Sequence, residues 1–321
     1  MPLVSVIMNV RNGASTLREA LDSVTKQTFT DWELIVWDDC SLDESAEIVA
    51  RCPDRRIRYF LSTEPTSLGK ARDSAIRQAR GEWLAFLDQD DVWLPRKLEL
   101  QMMLADGTTG IIYGRTVRFY PGGLERDYDQ THEFSPLPEG DIFTQLFSMG
   151  CFIAMSSAVF RRSAIEEIGG ISEAITLIPD YYLYAAVARR HNVRALQEVV
   201  CRYRMHASNT SRVSAIAMHQ EALWLVGYWA DTLDPRIVAI CRKRHCTAIA
   251  LEEMRNPATA FRGFSRLMTQ GSVVSQLQRP FLFIFHVLRR NVRSPYWKTS
   301  AGKGVEALKP ATAAQFMSRK E

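Results

Sequence analysis

Three carboxylates close one apolar run. Trp83-Leu84-Ala85-Phe86-Leu87 leads straight into Asp88-Gln89-Asp90-Asp91. A buried charge without a partner costs several kcal/mol, so such groups are solvated, paired or bound to metal. A second acidic pair, Asp38-Asp39, closes the run Leu34-Ile35-Val36-Trp37 in the same way. If both runs are strands of one parallel sheet, their carboxyl ends share an edge, which is where α/β sheets bind ligands. Five carboxylates would then surround one crevice. Their mutual repulsion asks for a cation, and an oxygen-rich set suits Mg²⁺ or Mn²⁺. Acidic residues at strand ends also cap the helices that follow. That alternative explains one cluster more easily than two on one edge.

Between the clusters lies Ser67-Leu68-Gly69-Lys70-Ala71-Arg72. Lys70 and Arg72 fall in the first turn of a helix, where the dipole does not favour cations. A phosphate at that helix end would explain them. The alternative is a pair of solvated surface cations, and for Lys70 alone it is the better reading.

The elements that must carry these residues alternate in type. Residues 3–8, 33–37, 56–61 and 82–87 read as strands. Residues 13–26, a stretch from Ser41 or Asp43 through Ala50, and residues 67–80 read as helices, with Gly81 stopping the last. Such alternation implies βαβ units and a mostly parallel sheet covered on both faces. Further on, residues 111–119, 153–160 and 193–201 read as strands and 180–190 as a helix. Residues 120–140, rich in Pro and Gly, read as a loop. After about residue 213 only helical patterns remain, and the last twenty or so residues are polar. The division expected is 1–212 for an α/β domain, 213–300 for a basic helical region and 301–321 for a flexible tail.

The chain has 321 residues and a formal net charge of +4, unevenly spread. Residues 1–180 hold 18 Lys/Arg against 28 Asp/Glu, and residues 181–321 hold 22 against 8. The basic half is suited to an anionic partner such as a lipid surface or a phosphorylated substrate. It lacks any nucleic-acid reading motif, so nucleic acid is not expected as a partner. The six cysteines form no Cys-x-x-Cys pair, which fits reduced thiols in a cytoplasmic protein rather than structural zinc. No signal peptide and no membrane-spanning run is expected.

The ordered motifs resemble those of family 2 glycosyltransferases. The resemblance is carried by Val4-Ser5-Val6-Ile7, Asn12-Gly13, residues 17–24, Gln27-Thr28, and Trp32 through Asp43. It continues in Leu68-Gly69-Lys70-Ala71-Arg72, Gly81 through Pro95, Lys97-Leu98-Glu99, residues 157–162, Ile168-Gly169-Gly170, Asp180 and Tyr203-Arg204-Met205-His206. It covers roughly residues 2–212. It implies a GT-A fold, α/β and Rossmann-like, with helices on both faces of a mostly parallel sheet; the all-helical segment read from the pattern after residue 213 would follow it. It implies transfer of a sugar, with inversion, from a nucleotide-diphosphate donor to an acceptor hydroxyl.

By that resemblance Asp39 accepts from the nucleotide base with Asp38 beside it, and Arg72 lies near the base or the diphosphate. Asp88 and Asp90 form the Asp-x-Asp pair. Asp90 holds the divalent metal, and Asp88 supports the ribose or the metal shell. Asp180 is the general base; on capping grounds alone it would be a helix N-cap, and the two roles are compatible. Ile178 and Pro179 before it suggest apolar surroundings that would raise its pKa. His206 reaches the diphosphate or the metal. Asn9 and Arg11 depart from the family's usual Pro and aromatic residue. Arg11 would stack on the base or bind phosphate instead.

Residues 236–321 carry 16 Lys/Arg against 4 Asp/Glu. Within residues 278–293, Phe281 through Phe285 stand among Arg279, Arg289, Arg290 and Arg293. This is the composition of a helix lying on an anionic membrane, or equally of a core-packing helix with a basic face. A lipid-linked acceptor, in surface polysaccharide or lipopolysaccharide assembly, would suit peripheral attachment at the inner face of the cell membrane. The alternatives to an enzyme of this kind are a nucleotide-sugar-binding protein or membrane scaffold without transfer, and a nucleotidyltransferase. The sequence leaves the sugar, the acceptor and the oligomeric state open.

Overall fold

The computed structural model describes residues 1–120, 125–126, 136–256 and 258–269. Outside these lie the expected membrane-surface segment 278–293, the expected tail 301–321 and most of the expected loop 120–140.

The elements run β1 Val4–Val10, α1 Leu17–Thr25, β2 Trp32–Asp38, α2 Ser45–Ala50, β3 Ile57–Leu61, α3 Leu68–Ile76, β4 Trp83–Phe86, β5 Val92–Trp93, α4 Lys97–Met102 and β6 Thr109–Phe119. They continue as β7 Glu125–Arg126, α5 Phe143–Met149, β8 Val159–Arg161, α6 Arg162–Glu167, α7 Pro179–Ala188, β9 Asn192–Arg204, α8 Thr210–Val213, α9 Ala215–Tyr228, α10 Pro235–Arg255 and α11 Ala260–Thr269. Among the described residues nine strands make one sheet, in the order β3-β2-β1-β4-β8-β6-β9-β5, with β7 on β6. The sheet is mixed. Its long pairings, β1 with β2 and β4, β2 with β3, and β6 with β9, are parallel. β8 joins the halves by short antiparallel ladders.

Side chains alternate across the strands, as a period of two requires. On β1, β2 and β4, residues Ile7, Ile35, Leu84 and Phe86 face one core layer. Val6, Met8, Leu34, Val36 and Ala85 face the other. α3, α5, α7 and α9 cover the first layer, and α1, α2 and α4 the second. Both faces being covered explains why β1, β2 and β4 are apolar almost throughout.

Two expectations change. The run 153–160 is strand only from Val159; Met155–Ser157 is a 3₁₀ turn. That turn presents the Ser156 carbonyl to Trp93 Nε1 at 2.7 Å. The chain also divides after Cys241, not near residue 212. Ala222, Leu225 and Val226 of α9, and Val238 and Cys241 of α10, are buried in the first core layer with Phe143, Phe147 and Tyr181. In the second unit, α11 packs on α10 through Gly263, where a Cβ would lie 2.4 Å from the Ala250 carbonyl oxygen. Arg266 donates twice to Glu253, at 3.0 and 3.1 Å.

Lys97 is buried, with its ammonium 2.6 Å from Gln101 Oε1 and 4.1 Å from the Trp93 ring centroid. Burial pulls its pKa down to about 7 from 10.5. Below pH 7 both folded and unfolded chains carry the proton, and the fold bears the full cost of the buried charge. As pH rises from about 7 towards 10.5, the unfolded lysine keeps the proton that the folded one has shed, so stability rises. Lys97→Met is therefore expected to melt above the wild type at pH 6, by the equivalent of a few kcal/mol. The gap should close towards pH 10. Paired melts across that range check it, and a constant gap would reject the assignment.

Candidate active site

The carboxyl ends of β2, β1 and β4 lie side by side, with Val10 opposite Asp38 and the Leu87 N–H donating to the Ile7 carbonyl at 3.0 Å. Arg11, Asp39 and Asp88 therefore emerge on one edge. The chain leaves β1 and β2 through non-glycine residues in the left-handed region, Asn12 at φ 52° and Cys40 at φ 59°. Asn tolerates that conformation because its side chain bonds locally. Here Asn12 Oδ1 accepts the Leu42 N–H at 2.8 Å, tying the two turns together. Gln89 clamps the backbone of Arg11 from both sides: its Oε1 accepts the Arg11 N–H at 2.8 Å and its amide donates to the Arg11 carbonyl at 3.2 Å. Gly13 leaves room for this clamp, since a Cβ there would lie 2.4 Å from Gln89 Oε1.

The two acids after β2 diverge, as successive residues of a strand must. Asp38 is buried and accepts from the Ser41 N–H at 2.7 Å and the Tyr59 hydroxyl at 2.8 Å. Its carboxylate ties β2 to β3. Asp39 Oδ1 accepts the Thr66 N–H and hydroxyl, each at 2.9 Å. Asp39 Oδ2 accepts from Arg11 Nη1 at 3.2 Å. The guanidinium of Arg11 is half exposed above this pair.

The acids after β4 divide their work. Asp88 Oδ1 accepts from Arg72 Nη2 at 2.5 Å. Arg72 is buried, so Lys70 and Arg72 part company: Lys70 is exposed and meets Glu64 at 3.6 Å. Burial works against the charge of Arg72, but Asp88 and then Asp180 outweigh it and raise its pKa. Asp90 Oδ2 stands 2.7 Å from His206 Nε2. Burial, then the charge of Asp88, raises the pKa of Asp90, and His206 offsets part of this. Asp91 is 1% exposed and structural. It accepts from the Ser156 hydroxyl at 2.5 Å and the Arg204 N–H at 3.0 Å, pinning the end of β9 beside β5. Burial, then Asp90 and Asp88, lifts its pKa well above the carboxylate range.

His206 reaches Asp90 because the turn after β9 is tied to itself. Asn209 Oδ1 accepts the His206 N–H at 2.7 Å, and Asn209 Nδ2 donates to the Arg204 carbonyl at 3.1 Å. Arg204 Nε donates to the Asp90 carbonyl at 2.7 Å and its other end meets Glu19.

Asp180 is the second residue of α7 and half-buried. The Tyr181 N–H donates to its Oδ1 at 2.8 Å. Burial raises its pKa, and the charge of Arg72 holds back part of the rise. Cys151 and Tyr184 feel its charge in turn, each pushed up mainly by burial. The segment before α7 lies hard against α3. A Cβ on Gly69 would lie 2.2 Å from the Ile175 carbonyl oxygen, and Asp73 Oδ1 accepts the Ile171 N–H at 3.0 Å. α3 thus carries Arg72 and braces the approach to Asp180.

The donor set fits a divalent cation. Asp88 and Asp90 offer hard oxygens and His206 an imidazole nitrogen, and the crowding that raises the pKa of Asp90 is what a cation relieves. Among the described residues no three such side chains close a ligand set. A Mg²⁺-like ion takes one or two carboxylates and draws its other ligands from phosphate and water.

Ser156, Gln89, Thr66 and Asn209 are the site's supports that spacing did not flag. Ser156, Gln89 and Thr66 each find a partner far along the chain, such as Ser156 with Asp91 across 65 residues, whereas Asn209 bonds its own turn. Only Gln89 carried a signal, as the residue inside the acidic cluster.

The glycosyl transferase family 2 model matches residues 5–169. The Escherichia coli UDP-Glc:alpha-D-GlcNAc-diphosphoundecaprenol beta-1,3-glucosyltransferase WfgD is 29% identical over 212 residues, covering 65% of this chain and 79% of that one. WfaP of the same organism, with the same printed activity, is 29% identical over 212 residues, covering 66% and 80%. Among solved structures, S. aureus TarS 1-349 in complex with UDP-GlcNAc superposes with a TM-score of 0.57 at 16% identity, over 77% of this chain and 70% of that one. The mannosyltransferase PcManGT from Pyrobaculum calidifontis, in complex with GDP-Man and Mn2+, gives 0.57 at 20% identity over 92% and 82%. These superpositions show the GT-A fold. The matched residues run from the first strand to the turn that follows α6, just over half of the chain, and on that match this protein belongs to glycosyl transferase family 2.

Proposed function

We propose that this glycosyltransferase moves a sugar, with inversion and with the help of Mg²⁺ or Mn²⁺, from a nucleotide-diphosphate donor to a hydroxyl of a lipid-linked glycan. The observation that carries the reading is Arg72. This one buried cation bonds Asp88 at 2.5 Å and also acts on the charge of Asp180. Donor-side acids and a raised-pKa carboxylate thus share one crevice, which is the arrangement that single displacement needs.

In that displacement the acceptor oxygen bonds to the anomeric carbon while the bond from that carbon to the diphosphate oxygen breaks. Asp180 takes the hydroxyl proton, and a raised pKa makes it a better base than an ordinary carboxylate. Arg72 would meet charge on the donor phosphates, and Asp39 with Arg11 would receive the nucleotide base. Asp90, with Asp88 and His206, would hold the cation. A divalent ion supplies electrostatic stabilisation of the departing diphosphate. We assign this chemistry to the unit Met1–Cys241.

The acceptor class is supported by the printed activities of WfgD and WfaP. Among the described residues no helix is long and apolar enough to cross a membrane. We place the protein at the cytoplasmic face of the membrane, attached peripherally where its acceptor lies.

Thermal melts with a panel of nucleotide sugars, each with and without Mn²⁺, test the donor side. The right donor at about 100 times its Kd is expected to raise the melting temperature by roughly 5–10 °C, and only with the metal. That donor is then incubated with a polyprenyl-diphosphate-linked sugar, and product of inverted anomeric configuration is expected. Stabilisation by donor with no product from any lipid-linked acceptor would favour a binding protein over a transferase. Turnover of a nucleoside triphosphate instead would indicate nucleotidyl transfer.

A further inference from the structure

The backbone just before Asp180 is held by a residue far from it in sequence, on a helix outside the matched 5–169. Glu221 projects from α9 onto the three residues that precede Pro179. Its Oε1 accepts the Thr176 N–H at 3.0 Å and also the Thr176 hydroxyl. Its Oε2 accepts the Leu177 N–H at 2.9 Å and the Ile178 N–H at 3.1 Å. Three consecutive backbone donors therefore converge on one carboxylate.

α7 needs such a partner. Its N-cap, Ile178, has no side-chain acceptor, and Pro179 stands at its first turn. Helix starts leave backbone N–H groups without intrahelical acceptors, and an N-cap Ser, Thr, Asp or Asn commonly accepts one. Here an acid from α9 receives those on and just before the cap, and its negative charge at a helix N-terminus is favourable. Between Ile178 and Asp180 stands only Pro179, whose φ is fixed by its ring. Fixing the Ile178 N–H thereby limits where the Asp180 carboxylate can go. The residues just before that segment, Ile171 and Ile175, are braced by α3 through Asp73 and Gly69.

We propose that Glu221 is a positioning residue for transfer: it sets the backbone that aims Asp180 at the acceptor hydroxyl. This rests on the reading of Asp180 as the base. Glu221 itself touches no group assigned to donor or metal. A misplacement near 1 Å costs about 10²-fold in rate, so the effect should fall on turnover.

The test compares Glu221→Gln, Asp180→Asn and the double variant, using full-length protein, Mn²⁺ and the donor identified by melting. Active enzyme is counted by donor-binding stoichiometry. Glu221→Gln keeps the side-chain size but turns one acceptor into an amide donor facing N–H groups. It is expected to lower kcat about 10–100-fold with the donor KM and the donor-induced melting shift unchanged. In the Asp180→Asn background the same change should cost less than twofold, since the two residues act as one unit.

Turnover within twofold of wild type in Glu221→Gln overturns the proposal. So does an equal loss in both backgrounds, which would make Glu221 independent of Asp180. Near-normal turnover in Asp180→Asn alone would instead sink the base assignment, a separate outcome. Should Glu221→Gln fail to fold, Glu221→Asp withdraws the charge by one methylene and is read in the same way.

Discussion

Asp180→Asn is expected to lower turnover about 10²–10⁴-fold, the range that a positioned proton acceptor contributes. Asn keeps the shape and can still accept the Tyr181 N–H that Asp180 Oδ1 takes at 2.8 Å. It cannot accept a proton from an acceptor hydroxyl. Donor binding should survive, because Arg72 remains bonded to Asp88. The wild-type pH profile should carry the signature of the same group. Burial raises the pKa of Asp180 above its ordinary 3.8, so the base is neutralised at a pH where a solvated carboxylate stays charged. The acid limb of kcat/KM should therefore lie at higher pH than a solvated aspartate would put it. Stability has the matching sign. A carboxyl whose folded pKa is raised stabilises the fold at low pH, and that contribution is lost as pH rises through the folded pKa. At pH 7.5 the variant should thus melt at or above the wild type, an activity-for-stability exchange expected of a strained site. Turnover within tenfold of wild type would mean that another group takes the proton.

Asp90→Asn is expected to cost about 10²–10³-fold in transfer, the equivalent of losing several kcal/mol of charge stabilisation at the leaving diphosphate. The second readout separates this from damage to the fold. Asn can still pair with His206 Nε2, which sits 2.7 Å from Asp90 Oδ2 in the wild type. It also removes a charge that burial and Asp88 disfavour. Melting without ligand should hold or rise, while the Mn²⁺ dependence of donor-induced stabilisation should vanish. If donor and Mn²⁺ stabilise the variant as they do the wild type, the cation binds elsewhere.

β1, β2 and β4 were legible because both faces of the sheet are covered there. Val4–Val10, Trp32–Asp38 and Trp83–Phe86 are apolar nearly throughout, bounded by polar turns. The helices between them announced themselves through spacing, as with Leu17, Ala20, Leu21 and Val24. The edge position of Asp39, Asp88 and Asp90 followed from that alternation. The sense of each carboxylate did not. Asp38 and Asp39 differ in partner because a strand turns successive side chains to opposite faces, and only the neighbours decide which face is the crevice. β5 is two residues long and owes its pairing to Asp91 and Ser156, which meet from distant parts of the chain. The strand expected over 153–160 was over-read for the same reason. An apolar run tells of burial, and a 3₁₀ turn serving Trp93 is buried too. Lys97 gave no warning of its burial, since a lysine after Pro-Arg reads as solvent-exposed.

The burial of α9 in the sheet's first core layer bears on how such chains recombine. Ala222, Leu225 and Val226 share that layer with Phe143, Phe147 and Tyr181. A chimaera joined at residue 212 would bring in a foreign α9 and must match it to those aromatics and to the backbone before Pro179 at once. A junction just beyond Cys241 disturbs neither. The seam that keeps the sheet together with its own α9 therefore lies beyond Cys241, inside α10, rather than at the end of the sheet.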